Sequence, residues 1–160
     1  MERYLKNVLR SSNFSGVGEN RSRTMAAIRS KGNRTTELKL RMAMVRAGIG
    51  GWTMHRKDIV GTPDFFFQKR RLAVFVDGCF WHGCPSCGHT PKTRSRFWAA
   101  KLQRNKTRDL VAVEKLKDDG IRTLRIWEHD LKSHEDRDTA VRTVCDLLGA
   151  RNRNSSRKDR

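Results

Sequence analysis

Three of the four cysteines in this 160-residue chain fall within nine residues, at Cys79, Cys84 and Cys87. Cys84 and Cys87 form a C-x-x-C pair, a spacing that lets two thiolates reach one tetrahedral ion. In an intracellular chain this pattern favours metal binding over disulfide bonds. Zn²⁺ suits it because thiolates are soft ligands and zinc accepts mixed sulfur and nitrogen donors. The pattern therefore predicts a structural zinc site that needs a fourth ligand.

The fourth ligand has several candidates. Cys145 lies on the apolar face of a predicted helix, as is typical of a buried cysteine that packs as a small hydrophobe. His82 and His89 lie near the cysteines in sequence. His129 directly follows a predicted strand, so a neighbouring strand end could bring it to the cluster. We therefore expect a site formed by Cys79, Cys84, Cys87 and His129, with a thioredoxin-like redox pair as the weaker alternative.

A carboxylate and an imidazole form a second chemical group. Asp64 follows a Gly-Thr-Pro turn and precedes an apolar strand, where Mg²⁺ could bind through carboxylates, phosphate and water. A hairpin of strands 64–68 and 72–76 would place Asp77 beside Asp64, with His82 in the loop that follows. A metal would polarise a phosphodiester while the histidine takes a proton from the attacking water. The alternative interpretation of Asp64 is a simple turn residue.

A small α/β fold must position these residues. The apolar spacing of Leu38, Met42 and Val45 predicts a first helix that ends at the glycines from Gly48 onward. The continuous apolar run over 72–76 indicates a strand buried on both faces at the centre of a sheet. Further strands are predicted over 52–56, 64–68 and 122–127, and further helices over 96–119 and 139–148. The order α-β-β-β-α-β-α predicts a small mixed β-sheet flanked by helices on both sides.

The composition is strongly basic. Thirty-five Lys and Arg against 17 Asp and Glu give a net charge of +18, which points to a polyanion such as nucleic acid as partner. No run approaches the ~18 apolar residues of a membrane span, and no secretory apolar block begins the chain, so we expect a soluble, cytoplasmic protein. Residues 1–34 carry eight basic and two acidic residues, and residues 151–160 carry five and one. Both ends are therefore predicted to be flexible basic arms. DNA contact is favoured for the N-terminal arm, whereas the C-terminal arm could equally be a solvated tail that aids solubility.

Several motifs occur in an order that resembles one known family. They are Met25-Ala-Ala-Ile-Arg-Ser-Lys31, Thr36-Glu37, Gly61-Thr-Pro-Asp-Phe65, Val74-Phe-Val-Asp-Gly-Cys-Phe-Trp-His-Gly-Cys84, Pro91-Lys-Thr93, Phe97-Trp98 and Trp127-Glu-His129. Together they resemble the very short patch repair (Vsr) DNA mismatch endonucleases over roughly residues 22–130. The Asp-Gly-Cys-Phe-Trp-His-Gly-Cys block is the most specific of these motifs.

The resemblance implies a restriction-endonuclease-like fold with a structural zinc. It also implies an enzyme that nicks one strand of duplex DNA beside a thymine mispaired with guanine, the lesion left when 5-methylcytosine deaminates. We expect a DNA-contacting arm over 1–32, an endonuclease domain over 33–149 and a disordered basic tail over 150–160. The expected setting is a monomer associated with the bacterial nucleoid, with mismatch-repair proteins as further partners and no membrane.

The resemblance also assigns roles in the active site. Asp64 matches the Mg²⁺ ligand, helped by the backbone carbonyl of Val76. His82 matches the catalytic histidine that activates water, and Glu37 matches a helix acid that supports the water on the metal. Asp77 stands where some members carry histidine, and it is a further candidate to bind or orient the metal.

Zinc and DNA contacts follow from the same resemblance. Cys79, Cys84, Cys87 and His129 match the zinc positions, although Cys87 stands where relatives often have histidine and His89 is an alternative donor. Aromatic wedges beside the mismatch are implied for Phe80, Trp81 and Trp98. Contacts from the N-terminal arm are implied around Met25, Arg29 and Lys31. Independently of the family, the start of the long basic helix could track phosphates through Arg94, Arg96 and Lys101, or it could simply be a solvated face.

Two other functions are compatible with the sequence. One is a restriction or repair nuclease with the same active site and no mismatch preference, and the other is a zinc-stabilised DNA-binding module without catalysis. The joint occurrence of Glu37, Asp64 and His82 argues against the binding module. The aromatic residues favour mismatch recognition because unstacking costs least where pairing is already weak.

Overall fold

A computed structural model describes residues 36–149 of the chain. The predicted N-terminal arm, with Met25, Arg29 and Lys31, and the predicted C-terminal tail lie outside the described residues. None of the described helices combines the length and the apolar character that a membrane crossing requires.

The described chain forms three helices and three strands. In chain order they are α1 (Glu37–Arg46), β1 (Phe65–Phe67), β2 (Leu72–Asp77), α2 (Ser95–Asp118), β3 (Arg122–Trp127) and α3 (His134–Leu148). Short 3₁₀ turns cover Gln68–Arg70 and Glu128–Leu131. These elements confirm the predicted helices and three of the four predicted strands. The last helix begins five residues earlier than predicted because Ser133 and Asp136 form a capping box at its start.

The fourth predicted strand, over 52–56, is wrong. Thr53 makes a single antiparallel bridge to Phe66, and no strand extends from it among the described residues. His55 has a φ of 50°, which is left-handed backbone and incompatible with an extended strand. The segment therefore turns away from the sheet after one bridge.

The sheet is mixed, with β2 at its centre as predicted. β2 runs antiparallel to β1, with Phe65 opposite Val74, and parallel to β3, with Asp77 opposite Trp127. The β1–β2 hairpin carries Val76 back past the start of β1. The parallel β2–β3 pair brings the carboxyl ends of both strands to one edge, which is where the functional side chains gather.

Helices cover both faces of the sheet, which confirms that prediction. On one face α1 and α3 pack against a large apolar cluster that includes Met44, Phe65 and Val144. On the other face a smaller cluster joins Leu116 of α2 to Phe66 and neighbouring residues. Cys145 is buried in the larger cluster, in agreement with its interpretation as a small hydrophobe.

Helix α1 is rotated relative to its sequence pattern. Leu38, Met42 and Val45, whose spacing predicted the helix, are 36%, 47% and 58% exposed. Leu40 and Met44 are buried instead, and they share their face with Glu37, which is 4% exposed. The buried face of α1 thus carries an acid into the protein toward the end of β2.

Candidate active site and metal centres

Four soft donors meet where β2 and β3 end. Cys79 and His129 each lie two residues beyond the paired residues Asp77 and Trp127, so the parallel register brings them together. The donor atoms of Cys79, Cys84, Cys87 and His129 all lie within 4.8 Å of one another. The structure therefore unites the four predicted ligands.

The distances within this group fit a tetrahedral ion. His129 Nδ1 lies 3.3 Å from the Sγ of Cys79 and 3.6 Å from that of each of the other two cysteines. With Zn–S near 2.3 Å and Zn–N near 2.0 Å, tetrahedral geometry would separate sulfur and nitrogen by about 3.6 Å. His89 is exposed and lies against the Phe80 ring, and the group of close donor atoms includes Cys87 and not His89.

The backbone of the cysteine loop is tightly folded, and its thiols differ in how readily they ionise. The N–H of Gly88 donates to the carbonyl of Cys84 at 2.8 Å, and a Cβ at position 88 would lie 2.4 Å from that oxygen. Burial raises the pKa of the Cys79 thiol to about 12. Burial also opposes ionisation of Cys84, but hydrogen bonds from the backbone of Cys87 and Ser86 lower its pKa overall. A bound cation would supply the charge that this crowded set of thiols needs to ionise.

A second group forms around Asp64, just ahead of β1. The N–H of Val76 donates to Asp64 Oδ2 at 2.7 Å, as the predicted hairpin requires. His55 Nε2 lies 2.7 Å from Glu37 Oε2 and 3.8 Å from Asp64 Oδ1. Donor atoms of Glu37, His55 and Asp64 fall within 4.8 Å of one another. The two carboxylates are thus brought together, with an imidazole between them.

The electrostatics of this group favour a cation. Burial raises the pKa of Asp64 to about 7, and the nearby carboxylates of Glu37 and Asp77 add to the increase against the opposing hydrogen bond from Val76. Two carboxylates that lie close together and away from water are unfavourable in their ionised form. A divalent cation would offset their negative charge. The two carboxylates and the imidazole therefore form a donor set that fits a divalent metal.

His82 is oriented by a partner on α2. Its Nδ1 lies 2.6 Å from Asp109 Oδ2, so Nδ1–H donates to the carboxylate and Nε2 is left to accept a proton. Burial opposes ionisation of Asp109, but His82 and Arg125 lower its pKa to about 2. Asp109 therefore stays ionised and holds the imidazole in one tautomer.

Asp77 has a different environment from Asp64. It is 3% exposed, and its Oδ2 accepts from Arg125 Nε at 2.5 Å. Its Oδ1 lies 3.4 Å from His82 Nδ1, and Arg125 also reaches Asp109 at 3.1 Å. Among the described residues, the donors grouped with Asp64 within metal-ligand distance do not include Asp77. A metal role for Asp77 stays a prediction, and its visible partner is the half-buried guanidinium of Arg125.

Sequence reasoning missed His55, Asp109 and Arg125. His55 lies in a segment interpreted as a strand, and its only signal is a lone histidine ahead of the turn that contains Asp64. Asp109 is the first acidic residue of α2 and follows a strongly basic first half of the helix, which is a usable signal. Nothing in the local sequence singles out Arg125.

The predicted wedge residues form one aromatic cluster. The Phe80 ring lies 5.1 Å from the Trp81 and Trp98 rings, and the two tryptophans are 6.0 Å apart. All three are half-buried and lie outside the two apolar clusters of the core. Asn105 donates to the Trp81 carbonyl at 2.8 Å, which ties the loop to α2. At the start of this helix Arg94 is half-buried and Arg96 is exposed.

Comparisons with known proteins agree on one family. A family model described as "DNA mismatch endonuclease Vsr" matches residues 17–89. The chain is 40% identical to the type II nicking enzyme V.NaeI of Lentzea aerocolonigenes, over 80% of this chain and 76% of the relative. It is 36% identical to the type II nicking enzyme V.XorIIP of Xanthomonas oryzae, over 80% and 93%. It is 34% identical to the DNA mismatch endonuclease Vsr of Escherichia coli, over 72% and 73%.

Proposed function

We propose that this chain, which belongs to the Vsr family of DNA mismatch endonucleases, nicks duplex DNA beside the thymine of a T:G mismatch with the help of Mg²⁺. That it is a DNA-nicking endonuclease follows from the family. The mismatch specificity, the metals and the residue roles are the proposal. We further propose a restriction-endonuclease-like fold and a monomer in the bacterial cytoplasm, at the nucleoid, with mismatch-repair proteins as partners.

The observation that carries the proposal is the convergence of two chemical groups at the end of β2. Asp64 accepts a hydrogen bond from the backbone N–H of Val76. His82 Nδ1 lies 3.4 Å from Oδ1 of the next residue, Asp77. The Asp77 carboxylate contributes to the raised pKa of Asp64 and contacts His82 directly. A candidate metal-binding acid and a candidate base thus flank the same strand end.

The side chains divide the hydrolytic work. A divalent cation held by Asp64 and Glu37, with the Val76 carbonyl, would polarise the phosphate and stabilise the charge that develops on it. His82 Nε2 is proposed to take the proton from the attacking water. Asp109 would hold the reactive tautomer and stabilise the imidazolium that forms, which supports a general-base role for His82.

Mismatch selectivity is proposed to come from the aromatic cluster. Phe80 and Trp81 lie between the ligand Cys79 and His82, so a zinc-stiffened loop would couple base-stack insertion to the chemistry. Inserting flat side chains costs a few kcal/mol of unstacking per step, and least beside a weak pair such as T:G. Trp98 supports these two rings from α2 at 5.1 and 6.0 Å.

The test compares T:G and C:G duplexes that are otherwise identical, in several methyltransferase-type sequence contexts with Mg²⁺ present. We expect a nick confined to the thymine strand of the mismatch. Trp81→Ala should reduce the discrimination, whereas Leu110→Ala, which removes an apolar side chain that is 65% exposed on α2, should leave it unchanged. Equal cutting of both duplexes would remove the mismatch assignment.

A second candidate is a sequence-directed nickase without mismatch preference. It is favoured by the description of two of the compared relatives as type II nicking enzymes. The same duplex comparison separates the two functions, because this candidate predicts dependence on sequence context and equal rates on matched and mismatched DNA.

A further inference from the structure

We propose that His55 is a nitrogen ligand of the catalytic cation, so that this site takes first-row transition-metal ions such as Mn²⁺ in preference to Mg²⁺. The proposal rests on the proposed function in one respect, namely that a divalent cation binds at Asp64. It goes further in assigning a ligand to a residue outside the expected set and a metal class to the site.

The position of His55 Nε2 supports direct ligation. It faces both carboxylates, at 2.7 Å from Glu37 Oε2 and 3.8 Å from Asp64 Oδ1. Adjacent ligands of an octahedral cation with bonds near 2.1 Å lie about 3 Å apart, and opposite ligands about 4.2 Å. The observed spacing falls close to this range, so a cation could replace the present hydrogen bond with little movement of the side chains.

The hydrogen bond from Val76 to Asp64 leaves the other carboxylate oxygen of Asp64 facing His55. Asp64 Oδ2 is committed to the N–H of Val76, so Oδ1 is the oxygen directed toward His55. The Glu37 side chain is only 5% exposed, and those of His55 and Asp64 are 20% and 17% exposed. One imidazole and two carboxylates with little exposure to solvent thus form a mixed nitrogen–oxygen donor set.

The backbone at His55 places its side chain beside the turn that leads to Asp64. His55 has a φ of 50°, and its N–H donates to the carbonyl of Pro63 at 3.2 Å, which returns the chain to Asp64. Glycine would adopt this left-handed conformation without strain, whereas a residue with a Cβ is strained in it. Such strain clusters at functional sites, and here it aims an imidazole at two acids.

The metal preference follows from ligand chemistry. Mg²⁺ binds hard oxygen ligands and is rarely held by imidazole, whereas Mn²⁺ and later ions of the series gain affinity from a nitrogen donor. An imidazole in the inner sphere should therefore raise the affinity for Mn²⁺ over that for Mg²⁺ by about ten-fold or more. Replacing it by an amide should remove most of that advantage.

Pulsed EPR of the full chain, loaded with one equivalent of zinc for the cysteine site and then with Mn²⁺, tests the ligand directly. We expect a ¹⁴N coupling from a coordinated imidazole in the wild type. It should persist in His82→Gln, which excludes the other nearby histidine, and disappear in His55→Gln. Bound Mn²⁺ without nitrogen coupling in the wild type would overturn the proposal, and this measurement needs no variant to fold.

Titration of free Mn²⁺ by EPR, with Mg²⁺ as competitor, tests the preference. His55→Gln should weaken Mn²⁺ binding about ten-fold while changing Mg²⁺ binding much less. His134→Gln, at a histidine that is 72% exposed on α3, is the matched control and should change neither. An unchanged Mn²⁺ to Mg²⁺ ratio in His55→Gln would refute the assignment.

The outcomes separate this inference from the proposed function. If cations bind and T:G duplexes are nicked but no nitrogen coupling is seen, only the role of His55 fails. If neither Mn²⁺ nor Mg²⁺ binds, the metal site itself fails, and with it the hydrolytic mechanism proposed above.

Discussion

Replacing Asp64 by Asn should make the metal-free protein more stable at neutral pH while removing its response to divalent cations. Asp64 is buried beside Glu37, and its pKa in the folded protein is about 7. In the unfolded chain the pKa of an aspartate is about 3.9. Folding therefore favours the protonated form, and ionising Asp64 at higher pH opposes folding.

The sign and size of the effect follow from this difference. The folded state binds more protons than the unfolded state between about pH 4 and 7, so this group lowers the free energy of unfolding as pH rises through that window. A shift of about three pKa units corresponds to at most about 4 kcal/mol above pH 7. Because the side chain is 17% exposed and water can relax the site, we expect about 2 kcal/mol, or about 6 °C in Tm.

Thermal and urea melts of zinc-loaded protein without other divalent cations measure this effect. Asp64→Asn should be more stable than wild type at pH 8 and nearly equal to it near pH 4, where the carboxyl is protonated in the folded state and about half protonated in the unfolded chain. Mg²⁺ or Mn²⁺ should stabilise wild type but not the variant, and the variant should bind DNA without nicking it. Asp118→Asn, at an exposed acid ending α2, is the control and should show no such pH-dependent difference.

Three results would refute the reasoning. The first is equal stability of wild type and Asp64→Asn at pH 8, which would mean that burial imposes no cost on the charge. The second is a stabilisation that persists unchanged at pH 4, which would have to come from packing. The third is nicking by Asp64→Asn at near the wild-type rate, which would remove the metal-ligand role.

Other consequences of the site are open to measurement. Asp109→Asn should lower the nicking rate by about 10²–10⁴-fold with DNA affinity retained, because the carboxylate would no longer keep the proton of His82 on Nδ1. A pure loss of affinity would contradict this role. Cys84→Ser should release zinc and lower Tm, because a structural zinc contributes folding energy directly; metal analysis that finds no zinc in the wild type would refute it. Arg125→Met should destabilise the fold by about 3 kcal/mol by leaving Asp77 buried without its partner, and Asp77→Leu added to it should recover most of that loss in urea melts; a double variant no more stable than the single one would contradict the pairing.

Features that depend on near neighbours could be predicted from the amino-acid sequence. The apolar run over 72–76 specified a central strand because a strand covered on both faces has no polar alternation. The short turn between the first two strands fixed their register, and with it the contact between Asp64 and the end of β2. The C-x-x-C pair and a strand-end histidine identified the donors at Cys84, Cys87 and His129, because two short loops leaving neighbouring parallel strands meet at one edge.

The partners that the reactive side chains find far along the chain are visible only in the folded protein. His55 lies 18 residues from Glu37, Asp109 lies 27 from His82, and Arg125 lies 48 from Asp77. These contacts depend on how α1, α2 and a left-handed turn pack around the sheet, and no local periodicity encodes that packing. The orientation of α1 is a further example. The apolar residues whose spacing predicted this helix are exposed, and Glu37, Leu40 and Met44 are buried in their place. Local patterns specify the elements, whereas the partners of a buried charge depend on all the elements that surround it.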